Sequence, residues 1–151
     1  MTDTLDAYDT AILKAVSANG RVTVTELAER INLSKSPTQT RLRRLENAGY
    51  IRGYTAQLNP VKLGLAHIAF VEVKLDDTRE TALKHFNQSV LKVPEIEQCH
   101  MIAGKFDYLL KVRTSDMQNY RRVLGECVST LPHVAQTSTH VVMDAVKEDA
   151  I

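Results

Sequence analysis

TVTELAERINLSKSPTQTRLRRLENAGYIRGYTAQL, residues 23–58, is the stretch that decides the fold of the first part of this chain. It divides into two short helical patterns, a turn between them and an alternating segment after the second. Thr23 and Glu26 are spaced as in a capping box, in which each side chain satisfies a backbone N–H, so the first helix is predicted to begin near Val24. Its apolar spacing continues to Ile31, where we expect it to end.

The second helix is predicted to follow a turn of about four residues, Asn32–Lys35. Ser36 can act as its N-cap, and Pro37 suits the first helical position because the N–H that proline lacks has no partner there. Gln39 completes a second capping box. The buried side of this helix is marked at helical spacing by Thr38, Leu42 and Leu45.

Positive charge collects on this second helix. Between residues 30 and 52 the chain has six basic side chains and one acidic side chain, Glu46. At about 100° per residue, the face opposite Leu42 carries Thr40, Arg43, Arg44 and Asn47, with Gln39 and Arg41 on its flanks. A solvated helix face would look similar, but the two capping boxes and the alternating residues 50–56 after Gly49 favour a winged helix-turn-helix with a trailing β-ribbon.

A winged helix-turn-helix places its second helix in the major groove of DNA. Hydroxyl, amide and guanidinium groups match the donors and acceptors on base edges, so the expected base contacts are Ser36, Gln39, Thr40 and Arg43. The side chains expected on phosphates, which position a protein without reading sequence, are Lys35, Arg41, Arg44 and Arg52. The predicted partner is therefore double-stranded DNA.

A further helix is predicted ahead of this pair, from about Asp6 to Ala18. Its buried stripe is expected to consist of Tyr8, Ile12, Leu13 and Val16. The three helices and the ribbon would form a DNA-binding domain over residues 1–58, and a hinge would follow over residues 59–66.

Residues 67–151 are predicted to form a second domain in the order strand, helix, strand, strand, helix, strand. The strands are expected at His67–Leu75, Ile96–Ile102, Asp107–Arg113 and Val134–Met143. The helices are expected at about Glu80–Leu91 and from a capping box at Ser115 and Gln118 to Leu131. This is the ferredoxin-like plan, an antiparallel sheet with both helices on one face, so the fold class is α+β.

The other face of that sheet must be covered or wet. The stretches 107–113 and 135–143 carry apolar or small residues on both faces, which is more than a half-exposed sheet needs. We therefore expect the open face to pack against the sheet of a second chain in a two-fold homodimer. A dimer would also present two recognition helices about 34 Å apart, the spacing of successive major grooves.

The composition is ordinary for a globular chain of 151 residues, with 44% apolar and 25% charged side chains and a net charge of +1. No long apolar run or secretory pattern opens the sequence, so neither a membrane partner nor export is expected. Cys99 and Cys127 lack metal or redox spacing and are expected to pack. The expected location is the reducing cytoplasm, in association with the nucleoid.

Enzymatic and metal chemistry find no support in the sequence. The five histidines show no short ligand spacing. His100 and His140, which lie on predicted strands, could pair across the sheet. No nucleophile elbow, glycine-rich phosphate loop or pair of catalytic carboxylates is present. We therefore expect neither a metal, nor a cofactor, nor an enzymatic activity.

Three stretches resemble the Lrp/AsnC family of feast/famine transcriptional regulators. They are LDAYD with the following Ile12-Leu13, LAERINLSKSPTQTRLRRLENAGYIRGYTAQLNP at 27–60, and HMIAGKFDYLLKVRTSDM at 100–117. The resemblance covers nearly the whole chain and both halves in the right order. Within the family, the chain is most similar to the activators of proline catabolism.

The resemblance implies an amino-acid effector that binds between dimers near a Gly-x-x-Asp turn, here residues 104–107. It also implies that the dimers assemble further, often to octamers. Carried over by position, the effector-binding residues are Met101, Gly104, Asp107, Tyr108, Thr137, Ser138 and His140. Gly104 would let backbone N–H groups approach a carboxylate and Asp107 would accept from an α-ammonium, although both residues could also serve only the turn. Proline and leucine are the first candidate effectors.

Two departures from the family pattern bear on specificity. Ser34-Lys35-Ser36-Pro37 stands where the family often has Ser-Pro-Thr-Pro, and Lys105 stands where an acidic or small residue is common.

Two alternative functions are compatible with the same domain plan. A sirohaem decarboxylase would have little need for an exposed arginine cluster, and an architectural DNA-compacting protein would bind DNA with little sequence discrimination.

Overall fold

The computed structural model describes residues 4–148. Within that range the chain divides into two compact units, one ending at Leu58 and the other running from Asn59 to Glu148. Among the described helices, none is long and apolar enough to cross a membrane.

The first unit contains three helices, α1 (Ala7–Ala18), α2 (Val24–Ile31) and α3 (Lys35–Asn47). They pack around a small apolar core formed by Ile12, Val16, Leu27, Ile31 and Leu45. Ile12 and Val16 are buried as predicted and Leu13 is partly buried against the core, but Tyr8 is exposed and the buried residue beside it is Asp9.

Both predicted ends of α2 are confirmed. The Glu26 backbone N–H donates to Thr23 Oγ1 at 3.2 Å, and the Thr23 backbone N–H donates to Glu26 Oε2 at 2.7 Å, which is the predicted capping box. Asn32 ends the helix in the left-handed conformation, with φ 54°. A residue that tolerates this conformation is therefore what directs the chain into the turn.

The start of α3 differs from the prediction. The N-cap is Ser34 rather than Ser36, and Pro37 occupies the third helical position. The physical reason is Thr38, which is fully buried and whose hydroxyl donates to the Ser34 carbonyl at 2.9 Å, closing a helical turn two residues earlier. Pro37 is compatible with that turn because the first-turn N–H groups of a helix have no intrahelical partner.

The predicted β-ribbon does not form within the single chain. Residues 52–59 belong to no helix or strand. The Tyr54 hydroxyl donates to Glu46 Oε1 at 2.7 Å, which fastens this segment to α3, and burial together with that carboxylate raises the pKa of Tyr54 to about 12. An alternating pattern favours extended backbone, but a strand also needs a neighbour with which to exchange hydrogen bonds.

The second unit has the predicted βαββαβ order. Its elements are β1 (His67–Leu75), α4 (Glu80–Val90), β2 (Ile96–Met101), β3 (Tyr108–Thr114), α5 (Met117–Val123) and β4 (Val134–Val141). The strands form one antiparallel sheet in the order β2-β3-β1-β4, so the ferredoxin-like fold is confirmed. The N-cap of α5 is Asp116, whose side chain accepts from the Asn119 N–H, rather than Ser115, and α5 continues as a π-helical turn over Leu124–Val128.

The core of the second unit lies between the sheet and its two helices. The largest side chains in it are Tyr108, Tyr120 and Phe86, and Cys99 and Cys127 pack against it as expected. Burial raises the pKa of the Cys99 thiol to about 11, so the thiol stays protonated. The helices therefore cover one face of the sheet only.

The open face of the sheet is less apolar than the sequence indicates. In β3 the side chains that alternate away from the core are Leu109, Lys111 and Arg113. Both basic groups are paired with Glu97 and with Glu148 from the end of the described chain. The prediction that β3 is apolar on both faces is thus wrong for two of its three outward residues, whose charges are neutralised in place.

Candidate functional site

The outer face of α3 presents the four side chains predicted to read bases. Ser36, Gln39, Thr40 and Arg43 are all exposed. At the helical angle between residues they lie within about 100° of arc, so all four can face one groove. The Thr40 hydroxyl donates to the Ser36 carbonyl at 3.1 Å and keeps its lone pairs available as acceptors.

Two of the four predicted phosphate contacts are equally exposed. Lys35 is the first residue of α3, and Arg52 lies just beyond the helix in the segment that the Tyr54–Glu46 bond holds. On the helix, Lys35 lies about 40° of arc from Gln39, at the border of that face, where a phosphate backbone would pass.

The other two, Arg41 and Arg44, turn toward α1 and form ion pairs there. Arg41 Nη1 lies 2.6 Å from Asp6 Oδ2 and 2.9 Å from Asp9 Oδ1, and Arg44 Nη2 lies 2.5 Å from Asp9 Oδ2. The guanidinium carbon of Arg41 also lies 5.3 Å from the centroid of the Tyr8 ring. The structure therefore separates these arginines from the exposed basic groups with which the sequence had grouped them.

Asp9 is the centre of this cluster. Its side chain is only 1% exposed, and its carboxylate accepts from both arginines, while the Asp6 backbone N–H donates to Asp9 Oδ2 at 3.1 Å. Burial alone would raise the pKa of Asp9, but the hydrogen bonds from Arg44, the Asp6 backbone and Arg41 outweigh it and lower the pKa to about 2. The carboxylate is thus held ionised inside the three-helix unit.

Sequence reasoning missed the acidic half of this cluster. Asp6 is the N-cap of α1, and Asp6 with Asp9 forms a reciprocal capping box. The sequence did contain a signal for this cluster, because Asp9 stands on the same helical face as Ile12 and Val16, and a lone acidic residue inside an apolar stripe requires a partner.

A cleft of about 520 Å³ lies beside the cluster, and its lining residues are Thr4, Asp6, Asp9, Pro37, Thr40, Arg41 and Arg44.

In the second unit, Asp107 fastens the loop before β3 to the end of β1. Its Oδ2 accepts from the Leu75 N–H at 2.7 Å, and its own N–H donates to the Val73 carbonyl at 2.9 Å. The Ile102 N–H donates to the Asp107 carbonyl at 2.8 Å, which closes the loop that contains Gly104. One carboxylate oxygen of Asp107 is therefore occupied within the fold.

The structure does not bring all seven predicted effector-binding residues together in one chain. Tyr108 points into the core, where its ring centroid lies 4.4 Å from that of Phe86. In β4, Thr137 stands opposite core-facing Val73, whereas Ser138 and His140 stand opposite outward-facing residues of β1. Met101, at the end of edge strand β2, is exposed. The predicted positions in the strands thus fall on both faces of the sheet, and Gly104 and Asp107 lie in the loop before β3.

A cavity of about 110 Å³ does open beside the Gly104–Asp107 loop. Two of the seven predicted residues are among those that line it, which are Glu72, Lys74, Lys105, Phe106, Gln136, Thr137 and Ser138. Its charged groups comprise one carboxylate and two ammonium groups, and Lys74 Nζ donates to the Lys105 carbonyl at 3.2 Å. Glu72 and Lys74 were missed because alternation in a strand marks a residue as outward-facing without naming its neighbours.

His140 contacts Glu72 rather than His100. Its Nε2 lies 3.2 Å from Glu72 Oε1. Pairing with His100 across the sheet is excluded because β2 and β4 are the two outer strands. In the part of the chain that the structure describes, no group of three or more histidine, cysteine or acidic side chains is placed to hold a metal ion.

Comparison with protein families gives a match for each half of the chain. Residues 5–52 match a winged helix-turn-helix DNA-binding model, and residues 68–151 match the Lrp/AsnC ligand binding domain. The second match alone spans more than half of the chain.

Relatives in other organisms align over almost their whole length. The chain is 62% identical to the proline dehydrogenase transcriptional activator of Rhizobium radiobacter, over 99% of this chain and 96% of that protein. It is 45% identical to the leucine-responsive regulatory protein of Escherichia coli K12, over 95% and 88% of the two chains. A crystal structure of a transcriptional regulator from Neisseria meningitidis in complex with L-Met is 35% identical, with a TM-score of 0.90 over 96% of this chain and 94% of that one. These relatives are regulators rather than enzymes.

Proposed function

This chain belongs to the Lrp/AsnC family of transcriptional regulators, and from that premise we propose that it binds specific DNA sequences and regulates amino-acid metabolism in response to an amino acid. The observation that carries the proposal is the outer face of α3, where Ser36, Gln39, Thr40 and Arg43 are exposed side by side. Amide, hydroxyl and guanidinium groups so arranged match the hydrogen-bonding edges of bases in the major groove.

Two exposed cations, one at the start of α3 and one beyond its end, suit phosphate contacts. Lys35 and Arg52 would fix the register of α3 on the duplex, and Arg43 would add a base contact between them. A DNA-binding regulator acts on the chromosome. The proposed cellular location is therefore the cytoplasm, in association with the nucleoid.

Sequence discrimination is the property that tests this proposal. A duplex selected by the purified protein from a random library is compared with a random duplex of equal length. We expect the selected duplex to bind about 10³-fold more tightly, or better. Nearly equal affinities would instead support a DNA-compacting role.

The cavity beside the Gly104–Asp107 loop is our proposed effector site. Glu72 can accept from an α-ammonium group, and Lys74 and Lys105 can pair with an α-carboxylate, so the lining matches both charges of a free amino acid. At about 110 Å³ the cavity is smaller than the roughly 300–1,000 Å³ of a typical ligand pocket, which favours a site completed by a second chain. The names of the relatives make proline and leucine the first candidates, and the L-Met complex adds methionine.

We further propose that the sheet faces of two chains pair in a homodimer and that dimers assemble to an octamer. Phe70 on β1 and Leu109 on β3 supply the apolar part of that face, and the neutralised cluster around Lys111 lowers the cost of covering the charged part. A two-fold dimer would offer two copies of α3 to successive major grooves.

A thermal-shift screen of the twenty amino acids tests the effector proposal. We expect a hit among proline, leucine and methionine that raises the melting temperature, because a ligand that binds only the folded state stabilises it. Glu72→Gln should abolish the shift, since the substitution keeps the shape of the side chain and removes the charge. The matched control is Glu80→Gln on the exposed start of α4, which should leave the shift unchanged. A full response in Glu72→Gln would exclude this cavity.

A further inference from the structure

The arginines of α3 divide into two classes that the proposed function does not explain. Arg43 is exposed on the outer face, whereas Arg41 and Arg44 are 28% and 39% exposed and are bonded to the first turn of α1. About 160° of helical arc separates Arg41 from Arg43. A single groove therefore cannot receive both.

The contacts of Asp9 argue against release of its arginines to DNA. The Asp9 side chain is 1% exposed, and its two oxygens accept from Arg41 at 2.9 Å and from Arg44 at 2.5 Å. If both guanidinium groups moved to phosphates, a buried carboxylate would lose its counter-charges, which is among the most costly changes in a folded protein. Each arginine that moved would only exchange a carboxylate partner for a phosphate partner, so the gain in binding would be small.

The geometry of the four charged groups resembles a clamp. Arg41 and Arg44 are one turn apart on α3, and Asp9 lies one turn after Asp6, the N-cap of α1. Asp6 also contacts Arg41 at 2.6 Å, so two helices are joined at three points. Contacts at successive turns restrict rotation of α3 about its own axis, which is the motion that would turn Gln39, Thr40 and Arg43 away from base edges.

We propose that Asp9, together with Asp6, is a positioning residue for DNA recognition, and that Arg41 and Arg44 act through these carboxylates instead of binding phosphate. This inference rests on the proposed function, because it takes α3 to be the helix that reads DNA. It reassigns two of the residues that charge alone groups with the DNA contacts.

The sign of the change in affinity distinguishes positioning from simple charge. Asp9→Asn makes the chain more positive by one unit, so charge alone would tighten binding to any duplex. Positioning predicts that the random duplex binds as well or better while the selected duplex binds less well. We expect the ratio of the two affinities to fall about fivefold or more, equivalent to the loss of one base contact. Parallel gains on both duplexes would overturn the proposal.

Asp6→Asn provides a second variant in case Asp9→Asn does not fold. Asp6 is 46% exposed and is the N-cap of α1, and asparagine caps helices as well as aspartate does. The substitution therefore preserves the helix start and removes one charge from the clamp. We expect a smaller fall in the same ratio, and an unchanged ratio in a folded Asp6→Asn variant would remove Asp6 from the clamp and count against the proposal.

The salt dependence of binding tests the arginines directly. Loss of one phosphate contact lowers the slope of log K against log salt by about one. We expect Lys35→Gln to lower the slope in this way and Arg44→Gln to leave it unchanged while lowering the affinity ratio. A slope that falls by about one in Arg44→Gln would overturn the reassignment. Failure of the proposed function would look different, because the wild-type chain would then show no preference for the selected duplex.

Discussion

Arg43 and Arg44 are adjacent in the sequence but have different surroundings. Arg43 is exposed, while Arg44 reaches the buried carboxylate of Asp9 on another helix. The same residue type therefore has two kinds of surroundings in one short helix, solvent for Arg43 and a buried carboxylate for Arg44. At the scale of single residues, function follows from what each charge contacts rather than from the number of charges.

Arg43→Ala tests base reading at one position. If Arg43 contacts a base edge, the substitution should cost about 1–3 kcal/mol of binding on the selected duplex and much less on a random one. Competition binding with both duplexes measures the two losses. Equal losses would assign Arg43 to a phosphate instead.

Acid should weaken the first unit through Asp9. Its pKa is lowered from 3.8 to about 2 in the folded state, so the unfolded state binds a proton more readily. The stability that the ionised Asp9 contributes is therefore present above the ordinary pKa and is lost as the pH falls from 3.8 toward about 2. We expect wild type to be more stable than Asp9→Asn near neutral pH by about 1–3 kcal/mol, the typical cost of an unpaired buried polar group.

Urea titrations of both proteins across this pH range measure that difference. Because the other acidic groups are common to both chains, the difference isolates Asp9. It should shrink on acidification, and a constant difference down to about pH 2 would contradict the assigned role.

At the scale of elements, the helix-turn-helix is held by local hydrogen bonds of unequal importance. The start of α2 has a complete capping box, whereas Ser34, the N-cap of α3, makes no side-chain capping bond. The start of α3 depends instead on buried Thr38 and on packing. One helix is thus defined mainly by its cap and the next mainly by its core.

Thr23→Ala and Ser34→Ala form a matched pair that tests this difference. Thr23→Ala removes the capping bond to the Glu26 N–H and should lower the free energy of unfolding by about 0.5–2 kcal/mol. Ser34→Ala removes a hydroxyl with no capping bond and should have a clearly smaller effect. Chemical denaturation measures the free energy of unfolding of both variants. A larger loss in Ser34→Ala would show that Ser34 stabilises its helix more than Thr23 does.

At the scale of the whole molecule, the second unit leaves one face of its sheet without a helix. That face combines apolar residues such as Phe70 with basic groups already paired to Glu97 and Glu148. Burial alone would raise the pKa of Glu97, but Arg113 and Lys111 outweigh it and lower the pKa, so this carboxylate stays ionised. The face can therefore pair with a second copy without burying the charges of Lys111 and Arg113 unmatched.

Phe70→Glu should disrupt the proposed homodimer, because it places an unpaired charge on a central strand of the open face that the second chain would cover. Sedimentation should then show a shift toward monomer. The matched control is Leu91→Glu, at a side chain 85% exposed just after α4, which should leave the sedimentation coefficient unchanged. A Phe70→Glu variant that sediments like wild type would exclude this face as the interface.

The secondary structure was predictable where it depends on short repeats and caps. The bounds of α2 and β1 agree with the pattern residue for residue, because apolar periodicity and the Thr23–Glu26 spacing are local properties. The start of α3 was misplaced because the N-cap is Ser34, whose carbonyl accepts from the hydroxyl of buried Thr38, and burial of a threonine cannot be read from cap spacing. The ribbon failed to form because a strand requires a partner that alternation does not supply.

By itself, the sequence determined the α+β plan, the order of its elements and the exposed polar face of α3, since all three depend on periods of two or 3.6 residues. Only the tertiary structure decided that Arg41 and Arg44 form ion pairs with Asp9, and that Glu72 and Lys74 line a cavity with Lys105. These residues are separated by some thirty positions along the chain, as with Arg44 and Asp9 at 35. Which charges meet at such distances depends on how the helices and strands pack, and no local pattern records that.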